Sequence, residues 1–509
     1  MADERIYNVL AYLRQTVRIK PDKTAFSDGE SFLSFKQVFD GANAIGSYLF
    51  GKGIYKKPIV VFMKKSPYEV TAFFGVISGG CFYVPIDDEM PKDRIRLILD
   101  NVSSPLIICD ESTYDTALGF DFDGEVVLYD SVASADINIE AIDSIYNRSL
   151  DIDPIYIVFT SGSTGIPKGV AACHRSVIDY IERLSTCLSF NGDTVFGNQT
   201  PLYFDACLKE LYPTLKFGAT TYLIPKTLFS QPVALLEFLN KYKINTVCWV
   251  VSALTMVSAF GTFDVVKPEY LHTVAFGSEV FPIKQFRLWK KALPDASFTN
   301  LYGPTEGTGM CCFYHVDQDF ADDEAIPIGR PFENREILLL TPDGKLASQG
   351  EEGEICIRGT AVTLGYYNDP ERTASSFVQN PLNNSYPELI YKTGDIGKYN
   401  DRGELVFVSR RDYQIKHMGH RIELGEIEVS ASFVDPVQMA ACIYDKNKGK
   451  IVLFFVGDCT EKELLTALKE RLPRYMIPSK IFRLDAMPLT ANGKLNRVEL
   501  KNIYENNLK

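Results

Sequence analysis

Residues 155–170 read Ile155-Tyr156-Ile157-Val158-Phe159-Thr160-Ser161-Gly162-Ser163-Thr164-Gly165-Ile166-Pro167-Lys168-Gly169-Val170. An apolar strand runs directly into a loop of hydroxyl residues and glycines that carries one lysine. Strands this uniformly apolar belong to parallel sheets covered by helices on both faces. Gly162, Gly165 and Gly169 have no Cβ, so backbone N–H groups can approach an anion closely, while Thr160, Ser161, Ser163 and Thr164 add hydroxyl donors. The composition suits polyphosphate, although flexible turns share it. It is not a Walker A loop, because Pro167 precedes Lys168 and Gly169 follows it.

Outward from this stretch the same architecture repeats. Helical periodicity over Phe35–Phe50 is followed by Gly51-Lys52-Gly53 and a strand at Ile59–Met63. A helix near Pro67–Ser78 leads into Phe82–Val84, and Arg94–Asn101 precedes Leu106–Cys109. Helices of this length between short buried strands read as βαβ units, so the fold class is α/β with mostly parallel sheets. Beyond residue 300 the strand signals shorten, with turns at Asp343-Gly344, Gly350, Gly353 and Asp401-Arg402-Gly403, which predicts a small β-rich layer. The last hundred residues form an α+β pattern: strand Val452–Val456, helix Glu461–Leu472, strand Ile481–Leu484. The expected domains are a large N-terminal one over 1–411 and a small one over 412–509.

The chain has 509 residues, 46% hydrophobic and 23% charged, so one or more large cores can form. A formal charge of −12 argues against nucleic-acid binding. The N-terminus lacks an apolar signal region, and the weakly polar stretches 72–86 and 247–260 are too short and too interrupted to cross a membrane. Eleven cysteines without a CxxC pair fit a reducing cytoplasm better than a disulfide framework. His417 and His420 have a ligand-like spacing but no third ligand nearby. Residues 460–509 carry ten Lys/Arg and six Asp/Glu, leaving −16 on the rest. This basic stretch is a solvated face or a docking surface for an acidic partner.

Further motifs follow in order: Phe204-Asp205-Ala206; Asn300-Leu301-Tyr302-Gly303-Pro304-Thr305-Glu306; Gly353-Glu354-Ile355 with Gly365-Tyr366; Tyr391-Lys392-Thr393-Gly394-Asp395; Gly419-His420-Arg421-Ile422-Glu423-Leu424-Gly425-Glu426-Ile427-Glu428; and Leu489-Thr490-Ala491-Asn492-Gly493-Lys494. With the loop at 160–168, this set resembles the acyl-adenylate-forming superfamily, and most closely its amino-acid adenylation domains of nonribosomal peptide synthesis. The resemblance spans nearly the whole chain. It implies a ligase that joins a carboxylate to the α-phosphate of ATP, with Mg²⁺, and then transfers the acyl group to a thiol.

The resemblance assigns roles residue by residue. Lys494 is the catalytic lysine, touching both the substrate carboxylate and the α-phosphate. The loop Thr160, Ser161, Gly162, Ser163, Thr164, Gly165 and Lys168 holds phosphate, and Ser278, Glu279, Gly303 and Thr305 join the ATP site. Tyr302 offers its face to adenine, Asp395 two acceptors to the ribose hydroxyls, and Arg410 lies close by; Glu306 holds Mg²⁺. Asp412 falls at the hinge, although Ser409 replaces the usual glycine of Gly-Arg-x-Asp, and Gly419 opens the segment used in the thioester step.

Asp205 implies an amino group on the substrate, because a buried carboxylate is costly unless it meets a cation. The remaining pocket by resemblance is Phe204, Ala206, Lys209, Trp249, Val274, Phe276, Leu301, Gly309 and Met310. Two bulky rings, Trp249 and Phe276, predict a small or flat acid: alanine, a near neighbour, or an aminobenzoate lying between them. Lys209 either pairs with the side chain of an acidic amino acid or runs its ammonium outward along an apolar wall; the outward course is preferred. The expected protein is a freestanding cytoplasmic enzyme that loads an acidic phosphopantetheinylated carrier protein in trans, as starter for a peptide natural product such as an antibiotic. The alternatives are a D-alanine:carrier protein ligase, an acyl-CoA ligase and an ATP-binding pseudoenzyme.

Overall fold

The computed structural model describes residues 6–162, 166–322, 324–411, 414–446, 448–488 and 495–507. They form two compact units. The first is the chain up to Arg411 apart from Glu89–Asn101 and Phe159–Lys168; those two segments group with the residues from 414 onward in the second.

In the first unit, helices start where the sequence offers caps. Ser34 accepts from the Gln37 N–H while the Gln37 side chain answers the Ser34 N–H, fixing the start of Phe35–Gly51. Ser66 caps Pro67–Ser78, with Pro67 at a position where its missing N–H costs nothing. These helices separate buried strands Pro58–Phe62, Phe82–Pro85 and Leu106–Cys109, as the periodicity predicts. The strands belong to a seven-stranded sheet that also contains Pro154–Thr160 and Lys168–Cys173. A nine-stranded sheet is parallel through Ser297–Tyr302, Thr273–Gly277, Thr246–Val250, Val195–Asn198, Thr220–Leu223 and Thr24–Ser27, with antiparallel strands at both edges. The β-rich layer expected past residue 300 is a five-stranded antiparallel sheet built from Arg335–Leu340, Gly353–Gly359, Phe377–Gln379, Leu389–Tyr399 and Leu405–Arg410.

The second unit has its own core of Ile422, Ile427, Leu453, Phe455, Leu464 and Leu468. A hairpin, Gln414–His417 with His420–Glu423, turns at Met418 (φ 52°) and Gly419 (φ 79°), the pair of positive angles that a two-residue hairpin loop demands. Helix Leu424–Ser432 follows, then a sheet of Val437–Asp445, Lys450–Gly457 and Lys480–Arg483 with helices Glu461–Arg471 and Arg497–Asn506. Among the described residues no helix is long and apolar enough to cross a membrane. All eleven cysteines are free thiols.

Candidate active site

Asp205 sits where a 3₁₀ turn, Asp205–Cys207, leads into helix Leu208–Phe217, so the helix dipole favours its negative charge. It is 8% exposed and accepts from the Gly309 N–H at 3.1 Å and the Thr305 hydroxyl at 3.2 Å. Only glycine suits position 309: its φ is +73°, and a Cβ there would lie 2.6 Å from the Tyr180 ring. Gly303 is equally constrained, since a Cβ would meet the Gly309 carbonyl oxygen at 2.3 Å. The turn at 303–306 and the strand start at 309–310 therefore close tightly over Asp205. Burial pushes the Asp205 carboxyl above its ordinary value, while the Gly309 and Thr305 hydrogen bonds and the charge of Lys209 oppose that rise. The Asp205 charge helps burial raise the Tyr156 and Tyr180 phenols, and among the described residues neither of these two buried hydroxyls has a hydrogen-bond partner. Orphaned polar atoms around a cation-seeking carboxylate mark a site built for a polar ligand.

The structure divides the expected pocket between the two faces of the nine-stranded sheet. Leu301 and Met310 share a core cluster with Tyr180, Cys248 and Ala275. Trp249, Val274 and Phe276 alternate to the other face, in a cluster with Phe281, Phe286 and Trp289. The Trp249 indole N–H donates to the Gly197 carbonyl at 2.7 Å, and Phe276 meets Phe281 edge-on at 5.0 Å. The two rings are thus spent on core packing, and the inference that they flatten the substrate cavity loses its basis. Lys209 also departs from expectation: it is 2% exposed, too buried for a side chain running out along the surface. Phe204 packs at 4.5 Å against Tyr203, and Ala206 is half-buried.

Motifs distant in sequence converge in the first unit. The Tyr302 hydroxyl donates to Asp395 Oδ2 at 2.5 Å, and Arg410 donates to Asp395 Oδ1 at 2.5 Å and to the Thr393 carbonyl at 3.1 Å. Asp395 is expected to offer both oxygens to ribose; here each already accepts one bond, leaving one acceptor position apiece. Burial raises the Tyr302 phenol well above its ordinary value. Glu306, fully buried, accepts from the Tyr366 hydroxyl at 2.7 Å, which joins the Asn300–Glu306 and Gly365-Tyr366 motifs. Glu354 accepts from the Gly394 N–H at 3.1 Å and pairs with Arg411 at 3.0 Å. Ser278 takes a left-handed φ of 69°, and Glu279 accepts the Ser252 N–H, capping helix Val251–Ala259.

The phosphate-type loop belongs to the second unit together with Gly419–Glu428. Ser161 donates to the Arg421 carbonyl at 2.7 Å, the Gly162 N–H donates to Glu426 at 3.2 Å, and Lys168 lies 3.8 Å from Glu423. Glu426 also pairs with buried Arg94; burial raises its carboxyl and the Arg94 charge opposes the rise. Ser161, Gly162 and Lys168 thus each face an oxygen acceptor, and Thr160 keeps a buried hydroxyl with no partner among the described residues. Ser163, Thr164, Gly165, Asp412 and Lys494 lie outside the described residues.

Several residues at this site carry no sequence signal of their own. Tyr180 and Cys248 line the Asp205 side. Arg335, paired with Asp179 at 3.2 Å, donates to the Met310 carbonyl and so braces the segment that closes over Asp205. Glu210, fully buried, accepts from Asn198 at 3.2 Å and is pushed up to about 7 by burial. Its neighbour Lys65 is lowered to about 8 by burial and donates to the carbonyls of Asn198 and Gln199. Strand alternation around Cys248 could have exposed one of these; the rest depend on tertiary packing.

Residues 13–367 match the model of the AMP-binding enzymes, and residues 426–494 match the AMP-binding enzyme C-terminal domain. The D-alanine–D-alanyl carrier protein ligase of Bacillus cereus (strain G9842) is 30% identical, over 94% of this chain and 96% of its own length. Tyrocidine synthase 1 of Brevibacillus parabrevis is also 30% identical over 94% of this chain, which spans only 43% of that synthase. The solved Vibrio cholerae adenylation domain AlmE, in complex with glycyl-adenosine-5'-phosphate, shares the fold with a TM-score of 0.83 at 19% identity, over 99% of both chains. The chain belongs to the AMP-binding enzymes, the acyl-adenylate-forming superfamily of ligases.

Two outcomes follow from this geometry. Asp205→Ala removes the carboxylate expected to meet the substrate ammonium, an effect of about 3–5 kcal/mol, so kcat/KM for the amino acid should fall by about two to four decades. Because the folded carboxyl is raised, it takes up its proton at a higher pH than a free aspartate, and KM for the amino acid should climb on acidification earlier than an ordinary aspartate would dictate. For Glu210, folded near 7 against an ordinary 4.5, the burial penalty is absent below 4.5 and complete above about 7. Stability of the free enzyme should therefore rise as pH falls through that window, by about 3 kcal/mol from this group, and Glu210→Gln should flatten the Tm profile there.

Proposed function

We propose that this chain condenses the carboxylate of an amino acid with the α-phosphate of ATP and then delivers the aminoacyl group to the phosphopantetheine thiol of a separate carrier protein. The observation that carries the reading is Asp205: a buried carboxylate, oriented by two neutral donors, with no cation in bonding contact among the described residues. An α-ammonium supplies that cation and brings its carboxylate towards the Thr305–Gly309 turn.

In the first step a carboxylate oxygen attacks the α-phosphorus, the bond to the bridging oxygen breaks, and pyrophosphate leaves. Two anions must meet, so fixed donors and cations carry the barrier reduction. Tyr302, Asp395 and Arg410 bind the nucleoside, with the free acceptor positions of Asp395 turned to the ribose hydroxyls. Lys494 bridges the carboxylate and α-phosphate. Mg²⁺ fits a site with one buried carboxylate: Glu306, oriented by Tyr366, would hold it, and triphosphate oxygens and water complete a hard cation's shell. When bound, the ion neutralises charge on the departing pyrophosphate. In the second step the thiolate attacks the acyl carbon and AMP leaves. A lysine on the second unit cannot occupy the centre while a pantetheine arm does, so that unit turns about Asp412 and presents the Gly419 segment instead.

The carrier reading draws support from the D-alanyl carrier protein ligase match along that relative's whole length and from the basic 460–509 stretch, which suits an acidic partner. Free cysteines favour a reducing cytoplasm. The setting we favour is the start of a peptide natural product. A D-alanine:carrier role is the second reading, on the strength of that full-length match.

Pyrophosphate exchange into ATP, run across the amino acids and the aminobenzoates, should respond to at least one acid. Lys494→Ala should lose exchange by at least about 1,000-fold, since one charge-stabilising group is worth that much, while still transferring from preformed aminoacyl-AMP. Silence toward every acid, or undiminished exchange by Lys494→Ala, would refute the proposal.

A further inference from the structure

Lys65 follows the carboxyl end of strand Pro58–Phe62 in the seven-stranded sheet and directly precedes Ser66, the cap of helix Pro67–Ser78. It is half-buried, and its ammonium crosses to the other sheet: Nζ donates to the carbonyls of Asn198 at 3.2 Å and Gln199 at 3.3 Å. Those carbonyls mark the carboxyl end of Val195–Asn198, a parallel strand inside the nine-stranded sheet. Both sheets lie in the first unit. One cation therefore joins the carboxyl ends of two parallel strands, the side on which open α/β folds hold their ligands.

The segment that Lys65 holds runs directly into the candidate site. Beyond Asn198 and Gln199 the chain reaches the Asp205 turn, and helix Leu208–Phe217 follows. Asn198 also reaches across this connection, donating its side-chain amide to Glu210 on that helix at 3.2 Å. Glu210 is fully buried, and its other oxygen, Oε1, has no hydrogen-bond partner among the described residues. Burial raises its carboxyl; the charge of Lys209, the Asn198 bond and the charge of Lys65 oppose the rise. The groups that face the Lys65 ammonium are Glu210, the Cys207 thiol and Glu69, and Glu69 in turn feels Asp88, Asp87 and Asp110.

We infer that Lys65 is a positioning residue for the first step: in its charged form it ties the two sheets together and holds the Asn198–Asp205 connection so that the Asp205 carboxylate is set for the substrate ammonium. The inference rests on the amino-acid reading of Asp205 above. A neutral amine would grip the two carbonyls less firmly, since charge-assisted hydrogen bonds are about twice as strong as neutral ones. It would also withdraw positive charge from buried Glu210, the second fastening of the same connection. Tyr302, Asp395 and Arg410 lie on other strands and share no hydrogen bond with Lys65.

The test is pyrophosphate exchange by the full-length enzyme with an acid to which the wild type responds, with KM for that acid and for ATP followed from about pH 6 to 10. Burial lowers Lys65 to about 8, so its charge is present below that pH and lost above it. Wild-type KM for the acid should climb as pH rises through about 8 while KM for ATP stays level. Lys65→Arg keeps its proton throughout and should move that limb to higher pH. The substrate's own amine titrates alike with both enzymes, so the difference between them reports Lys65. Lys65→Met should raise KM for the acid about tenfold or more at neutral pH, the usual worth of a charged donor's hydrogen bonds, and leave KM for ATP unchanged. A limb that coincides in wild type and Lys65→Arg would overturn the inference. So would a Lys65→Met enzyme that keeps the wild-type KM for the acid, or one that raises both KM values together, the mark of general loosening. If Lys65→Met does not fold, the Lys65→Arg comparison decides alone. Asp205→Ala separates the two layers: an unchanged KM for the acid there removes the reading of Asp205 and this inference with it, whereas the expected loss there with unresponsive Lys65 variants removes only the role of Lys65.

Discussion

A carboxylate sealed beneath a glycine-tight turn has to be answered by positive charge, and the proposed function assigns that part to a substrate ammonium. Asp205 receives an amide and a hydroxyl, both neutral, and its position at a helix start supplies only a partial charge. Those contacts orient the carboxylate without neutralising it. The glycines at 303 and 309, the Tyr180 ring and the Arg335 brace all serve to keep that carboxylate dry and fixed. Water admitted there would make any ammonium a weak partner, since charge pairs gain strength only where solvent is excluded.

The distribution of motifs between the two units carries a second constraint. Tyr302, Asp395, Arg410, Glu306 and Asp205 belong to one unit. The described part of the phosphate-type loop and the Gly419–Glu428 segment belong to the other. The loop's present partners, carboxylates and carbonyl oxygens, are acceptors of the kind that phosphate would provide.

The fold was readable because its strands are short, apolar and separated by capped helices: Pro67–Ser78 and Leu106–Cys109 occur where periodicity puts them. The convergence of Tyr302, Asp395 and Arg410 was readable because these residues lie in contiguous motifs. Two inferences about the acid pocket did not survive. Trp249 and Phe276 alternate with Cys248 and Ala275 along their strands, and a one-residue difference decides which face a side chain meets; sequence position alone does not say which face holds the ligand. Lys209 could snorkel on an isolated helix, but the packing around Leu208–Phe217 leaves it only 2% exposed. Tyr180, Arg335 and Glu210 were invisible because their roles arise only when distant elements pack.

The most direct measurement is a crystal structure of the enzyme with a non-hydrolysable aminoacyl-sulfamoyl adenosine. The predicted result is the ligand's ammonium within hydrogen-bond distance of Asp205, about 3 Å, with the Gly309 and Thr305 contacts to that carboxylate retained. An ammonium bound elsewhere, with Asp205 still facing only its neutral donors, would contradict the claim that this carboxylate selects the substrate.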